Sequence, residues 1–442
     1  MKLNRANLAN ATESSVTPSA ERIVHIGLGA FHRAHQAWYT DSVDSNGEWG
    51  IVAFTGRSPQ AADELAEQDG LFTLVTRSEA GDEFSVVKSI SRAVDINDAN
   101  EFVSAIANPN VVIVTLTITE AGYGMDANGH IDTSNPPRLL HRLAVALETR
   151  RREHGKGIAV VSCDNIPNNG GLLQTAMTDL FGLFSSDAMR WLEDKVSFVS
   201  TSVDRITPRT TASDIETVAS ETGWNDVSPV VTEPFTDWVL EGEFPEGRPD
   251  WHLAGAKFVD ELEPFENRKL WLLNGAHSLL AYLGQLRGHS TVAQAIADAE
   301  CLDAVEGFWA EAERGLSAPG LELPRYKAAL LERFSNSRIE HQLAQIANDG
   351  STKLRVRIVP TALRELADGN TAAGCARVFQ AWAAFLLSGT KFNDSRAVEI
   401  REAIRSAKGD QAAATRNLIA LVSEELAAND QFMGQVLELA TI

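Results

Sequence analysis

Ile23-Val-His-Ile-Gly27-Leu-Gly29-Ala-Phe31-His32-Arg33-Ala-His35 is a short apolar strand run, a glycine turn and a helix start that carries basic residues. In that order these elements open a dinucleotide-binding βαβ unit, where two glycines let the backbone turn tightly and approach a pyrophosphate at a helix N-terminus. His32 stands where the generic fingerprint has its third glycine, so the motif reads Gly-x-Gly-x-x-His and is only partly met. Its surroundings supply the rest. The run 49–54 follows after a segment of helix length and reads as a second strand, and the runs 111–116 and 157–162 read as further buried parallel strands. The expected architecture is a Rossmann-like doubly wound α/β domain. Thr117-Ile-Thr119-Glu120 and Cys163-Asp-Asn165-Ile-Pro-Asn168-Asn169-Gly would then lie at the carboxyl ends of strands, where such sheets bind ligands. Asn168 and Asn169 suit a turn before the next helix, whereas Asn165 is read as functional.

Further along, Asn267-Arg-Lys269-Leu-Trp-Leu-Leu-Asn274-Gly-Ala-His277 is apolar nearly all round apart from three polar side chains. At about 100° per helical residue, Asn274 and His277 lie roughly 140° and 80° around the axis from Lys269, so an amine, an amide and an imidazole project from one side. Burial would withdraw the lysine from water and lower its pKa toward neutrality, where it can take up and release protons. A snorkelling lysine with satisfied polar neighbours would leave the same pattern. The glycine turn upstream decides for chemistry.

The 442 residues, 44% hydrophobic and 22% charged, can bury more than one core. Strand and helix patterns alternate through residues 1–265, including the run 196–203 that leads to Asp204. Residues 266–442 carry helical spacing near 266–287, 291–314, 325–348, 360–368, 371–389, 394–407 and 410–428, which predicts a helical second domain. The active site is expected in a cleft between the two parts. Cys163, Cys301 and Cys375 are far apart, and no Cys-x-x-Cys or His-Glu-x-x-His motif is present, so no metal is expected. The chain lacks an apolar run of membrane-spanning length and an apolar signal core before the first strand, which predicts a cytoplasmic protein. Sixty acidic against 39 basic side chains leave a net charge of −21, which argues against nucleic acid or an anionic membrane as partner.

The glycine turn, Ser162-Cys-Asp-Asn165, Val203-Asp204-Arg-Ile-Thr-Pro208 and Lys269-x4-Asn274-Gly-x-His277 together resemble the mannitol dehydrogenase family, the polyol-specific long-chain dehydrogenases. Glu233-Pro-Phe-x-x-Trp238, Gly247-Arg-Pro-x-Trp251 and Arg333-Phe-Ser-Asn336 extend the likeness to about residue 360. The resemblance implies metal-independent hydride transfer between nicotinamide and a secondary alcohol or ketone. It makes Lys269 the general acid/base, Asn165 and Asn274 the amides that hold the reacting oxygen, and His277 the group that positions substrate hydroxyls. It makes Asp204 a substrate contact and Glu120 part of a proton path. Gly27, Gly29, Phe31, His32, Arg57 and Thr117 are the expected cofactor contacts.

The second strand is followed by Thr55-Gly-Arg57-Ser58-Pro-Gln60, without the acid that usually binds a ribose 2′-hydroxyl. Arg57 and Ser58 could accept a 2′-phosphate, yet arginine also stands here in NAD-using members of the family that the chain resembles, so NAD is favoured and NADP left open. The stretch 341–354 resembles the family's substrate-binding helix and following loop, with His341, Gln345 and Lys353 as candidate contacts. The expected pair is D-mannitol and D-fructose, followed by D-mannonate and D-fructuronate, then mannitol 1-phosphate. A carboxylate would need a local cation, and Lys353, Arg355 or Arg357 could provide it. A non-catalytic sugar or dinucleotide sensor should have lost the lysine; a hydroxyacid dehydrogenase fits the Asn165 and Asp204 motifs less well. A monomer or weak oligomer is expected.

Overall fold

The apolar runs of the first half become the centre of an eight-stranded sheet in the structure, a computed structural model that describes residues 1–439 other than Arg57 and Ala127. Its strands, with those of a smaller sheet, are β1 (Glu21–Leu28), β2 (Gly50–Thr55), β3 (Phe72–Ser78), β4 (Gly81–Val87), β5 (Ile90–Val94), β6 (Ile113–Leu116), β7 (Ile158–Ser162), β8 (Val196–Asp204), β9 (Val230–Thr232), β10 (Asp237–Glu241) and β11 (Lys257–Phe258). The large sheet runs β11-β10-β8-β7-β6-β1-β2-β5, parallel from β8 through β5. Strand order reverses between β1 and β6, which is the switch point where doubly wound sheets take their ligands. Alternate residues feed opposite faces: Val24 and Ile26 join one core cluster with Val52, Phe54 and Val114, while Ile23 joins the other with Ile51, Ala53 and Ile113. Burial on both faces explains why these strands read as unbroken apolar runs rather than as alternation.

A second sheet, β4-β3-β9, has no counterpart in the sequence reading. Its hairpin strand β4 is half exposed and rich in polar residues, so periodicity alone does not distinguish it from loop.

The chain divides into two compact units, Met1–Glu263 and Pro264–Ile442. The second is helical around Ala276–Leu286, which is buried on every side from Ala276 to Gly284. Several helices expected as single runs are broken. Residues 291–314 form Val292–Ile296 and Ala299–Glu313, because Asp298 accepts from the amides of Glu300 and Cys301 and starts a new helix. Residues 410–428 break at Ser423, whose hydroxyl accepts from the Leu426 amide. The stretch 325–348 is a helix, Leu323–Ser335, and a short one, Leu343–Ile346. Lys353 lies on a further helix, Gly350–Arg357, where a loop was expected. A last helix, Asp430–Leu439, was not foreseen. Hydrophobic period runs through caps, and a side chain that takes up the free backbone amides overrules it.

Candidate active site

In the first unit the glycine turn is built as the motif requires. Gly27 has φ +111°, and a Cβ there would come within 2.2 Å of the Thr117 carbonyl oxygen, so only glycine fits. Gly29 is less demanding: its nearest neighbour to a Cβ would be 3.6 Å away. The turn is held from below by hydrogen bonds whose directions follow from one another. The Thr117 hydroxyl donates its only proton to the Gly27 carbonyl at 2.9 Å. Its oxygen, 3.1 Å from His25 Nε2, must therefore accept, which puts the proton of His25 on Nε2. Nδ1 then accepts from the Thr115 hydroxyl at 2.8 Å. Burial holds His25 neutral, with its pKa lowered to about 3.

His32, expected to touch the cofactor, is wholly buried and stacked flat on His25, ring centroids 3.3 Å apart. Burial and the neighbouring His25 push its pKa well down. It fills the place of the third glycine with an aromatic slab. Phe31 packs its ring on His35 at 5.0 Å. After His32 the backbone widens into a π turn, Arg33–Ala37, before returning to α-helix. Arg33 Nη1 donates to the Ser228 carbonyl at 2.5 Å and to its hydroxyl at 3.0 Å. The Ser228 hydroxyl in turn donates to Glu64. Gly27, Gly56, Ser58, Gln60, Glu64 and Thr117 line a cavity of about 670 Å³ at the carboxyl ends of β1, β2 and β6. Arg57 lies outside the described residues.

The loops after β6 and β7 are braced together. Asp164 accepts from the Thr119 amide at 2.7 Å and from the Tyr123 hydroxyl at 2.9 Å, while Tyr123 also meets Ser162 Oγ at 2.5 Å. This holds Thr119 at φ 65°, ψ 160°, a strained conformation for a β-branched residue. Glu120 follows, exposed, at the start of a one-turn helix, and Asn165 is exposed beside Asp164. Asn169 is buried and exchanges hydrogen bonds with Thr201 and the Asp164 carbonyl, a turn-holding role. Asp204 is the last residue of β8, buried and paired opposite Asp237. Next to it Arg205 donates to the carbonyls of Ala34 and Glu233 and stacks on Trp38.

In the second unit the segment with the lysine is not a plain α-helix. Glu263–Arg268 is α-helical, Lys269–Gly275 is a π turn, and Ala276–Leu286 is α-helical again. With i→i+5 hydrogen bonds and roughly 80° per residue, Asn274 moves to about 40° on one side of Lys269 and His277 to about 40° on the other. The sector of 140° expected from a regular helix narrows to about 80°. Lys269 and Asn274 are half-buried rather than fully buried, and His277 is buried. Burial, His341, Arg333, Arg357 and Lys353 all push the His277 pKa well below its usual value, so the ring is neutral. His341 meets it edge-on at 5.0 Å, and Phe334 lies 4.9 Å away. Lys353 donates to the Ile346 carbonyl at 3.0 Å, and its pKa is lowered by burial and by Arg357. Gln345 is exposed.

Several of these residues carried no sequence signal. Asp164 could have been singled out from its place beside Asn165. Tyr123 and His25 could not, because their roles depend on neighbours far away in the chain. Among the described residues, no three His, Cys, Asp or Glu side chains are grouped to hold a metal ion, and no helix is long and apolar enough to cross a membrane.

Residues 21–253 match the model of the mannitol dehydrogenase Rossmann domain and residues 261–440 that of the mannitol dehydrogenase C-terminal domain. D-mannonate oxidoreductase of Escherichia coli is 37% identical over 79% of this chain and 76% of its own length. Mannitol 2-dehydrogenase of Aspergillus terreus is 33% identical over 99% of this chain and 95% of its own. Among solved structures, Pseudomonas fluorescens mannitol 2-dehydrogenase in ternary complex with NAD and D-mannitol aligns over the whole of both chains, with 32% identity and a TM-score of 0.76. A substrate-free D-sorbitol dehydrogenase aligns with a TM-score of 0.87 at 26% identity, over 100% of this chain and 98% of its own.

Proposed function

Because the chain belongs to the mannitol dehydrogenase family, we propose that it is an NAD-dependent oxidoreductase that interconverts a secondary alcohol of a polyol or sugar acid and the corresponding ketone, with Lys269 as general acid/base. The observation that carries this reading is the π turn that brings Lys269, Asn274 and His277 to one side of their helix. In oxidation the Lys269 amine takes the proton of the alcohol; in reduction the ammonium returns it to the developing alkoxide. The side-chain amides of Asn165 and Asn274 donate to that oxygen and stabilise its charge. Neutral His277 donates one hydrogen bond and accepts another, which suits substrate hydroxyls. Asp204, His341, Gln345 and Lys353 are the further substrate contacts, and Glu120 passes the proton outward.

NAD, when bound, accepts or supplies the hydride. The cavity at the strand ends fits a dinucleotide: its volume of about 670 Å³ is in the range of cofactor sites, and Gly27 lets the backbone turn tightly at its edge. The carboxylate of Glu64 on its wall supports NAD over NADP, because it would repel a 2′-phosphate.

For the substrate, the cations around His277 favour an anion. Arg333, Arg357 and Lys353 all act on this ring, and such a local field overrides a net charge of −21. The leading pair is therefore D-mannonate and D-fructuronate, ahead of the neutral D-mannitol and D-fructose. Gln345, an exposed amide, suits the hydroxyls that both pairs carry. The deciding experiment is NADH oxidation by the purified protein with D-fructuronate, D-fructose and fructose 6-phosphate side by side, repeated with NADPH. A higher kcat/KM for D-fructose refutes the anionic assignment. No turnover of any ketone refutes the family reaction for these substrates.

A further inference from the structure

The π turn at Lys269–Gly275 needs an explanation, because it gives up the regular α-helical ladder in the middle of a buried helix. Two carbonyls of this segment receive side-chain donors from other helices of the same unit. The Trp309 indole on Ala299–Glu313 donates to the Leu272 carbonyl at 2.8 Å. Arg357, the last residue of Gly350–Arg357, donates through Nη1 to the Asn274 carbonyl at 3.1 Å and to Ser278 Oγ at 3.0 Å. The Ser278 hydroxyl spends its own proton on the same Asn274 carbonyl at 3.2 Å. Guanidinium, hydroxyl and carbonyl thus form a closed triangle at the exit of the π turn.

We propose that Arg357 is a positioning residue: it holds the π turn open and so sets the rotation of Asn274 and His277 relative to Lys269. The inference rests on the assignment of those three residues to the reaction. Its consequence is geometric. Relaxation of Lys269–Gly275 into α-helix would rotate Asn274 by about 100° and His277 by about 120° around the axis from Lys269. Either rotation removes a group from the reacting oxygen or its neighbouring hydroxyls, where even a misplacement of about 1 Å can cost on the order of 10²-fold in rate. Arg357 is suited to the task. Burial lowers its pKa only to about 10, so it stays charged at neutral pH, and its fork can reach two acceptors at once, which a lysine ammonium does with less directional constraint. The other end of its helix is tied down as well. Ser351 donates from its amide and hydroxyl to Asp394.

The test combines kinetics with hydrogen exchange in Arg357→Met, Arg357→Lys and Ser278→Ala. In Arg357→Met, kcat should fall by about 10- to 100-fold while KM for NADH stays within about twofold. Peptides that cover 269–278 should exchange at least about tenfold faster than in the parent, because the local opening becomes easier. Arg357→Lys should recover part of the loss, and added guanidinium ion at millimolar concentration should restore part of the activity of Arg357→Met. Unchanged kcat and unchanged exchange in folded Arg357→Met overturn the proposal. A loss of kcat with unchanged exchange also overturns it, since Arg357 would then act on the substrate itself. If Arg357→Met does not fold, Ser278→Ala keeps the test: faster exchange in 269–278 is expected, and unaltered exchange refutes the triangle. If the parent turns over no ketone, the functional reading fails, while the exchange data still judge Arg357.

Discussion

Gly275→Ala sets two physical effects of opposite sign against each other. Helix propensity alone favours alanine by about 0.8–1.0 kcal/mol, because glycine loses more backbone entropy on folding. The tertiary structure opposes it: a Cβ at Gly275 would lie 2.5 Å from Cε1 and 2.7 Å from Cζ of Phe308. Ordinary contact requires about 3.5 Å or more, so the ring would have to withdraw by roughly 1 Å. Phe308 is 0% exposed and cannot swing into solvent. Overpacking of this kind costs about 1–3 kcal/mol, occasionally more; less the propensity gain of about 1 kcal/mol, the net effect should be a loss of up to about 2 kcal/mol. At about 2–4 °C per kcal/mol, Tm should fall by up to roughly 8 °C. Differential scanning calorimetry of the parent, Gly275→Ala, Phe308→Leu and the double variant checks this. The double variant should be more stable than the sum of the single losses predicts, with a coupling of at least about 0.5 kcal/mol. A rise in Tm for Gly275→Ala would refute the reasoning, since propensity would then have won over packing.

Three further outcomes are expected. Lys269→Ala should lose at least about 10²–10⁴ in turnover while still binding NADH, read by fluorescence titration; near-normal turnover would remove Lys269 from the chemistry. His25→Leu leaves the Thr117 hydroxyl without its donor and should raise KM for NADH several-fold with a smaller effect on kcat, whereas His25→Gln should recover part of it; equal effects on both parameters in both variants would argue for general destabilisation. Acid should destabilise the fold from about pH 6.5 downward. His25, His32 and His277 all have folded pKa values below 6.5. The unfolded chain therefore binds their protons first, and stability is present above 6.5 and lost as pH falls, by up to about 1.4 kcal/mol per pH unit for each. Urea midpoints at pH 7.5 and 5.5 measure the slope, which should be shallower in His25→Gln; no change between the two pH values would mean these rings are not held neutral.

The fold of the first unit was legible because parallel strands buried on both faces must be apolar throughout, and because a φ of +111° at Gly27 leaves only glycine. The sheet β4-β3-β9 left no such mark, because β4 is half exposed and β9 is only three residues long. In the second unit, helical period was visible but its interruptions were not: Asp298 and Ser423 start new helices only because their side chains meet the right backbone amides. The candidate site divides in the same way. Lys269, Asn274 and His277 were recognisable as residue types at a suggestive spacing, yet their angular relation was misjudged, since a helix of 3.6 residues per turn was assumed.

Local sequence determined the glycine turn, the sheet's central strands, the helical character of residues after Pro264 and the identity of the reactive groups, because each depends on backbone sterics or on periodic burial within one segment. Only the tertiary structure decided the π turn, the stacking of His32 on His25, and the brace from Asp164 to Thr119. Each of these is stabilised by partners tens of residues away, Trp309 and Arg357 for the π turn and Thr115 and Thr117 for His25. A hydrogen bond across such a distance exists only once the chain has brought both groups out of water together.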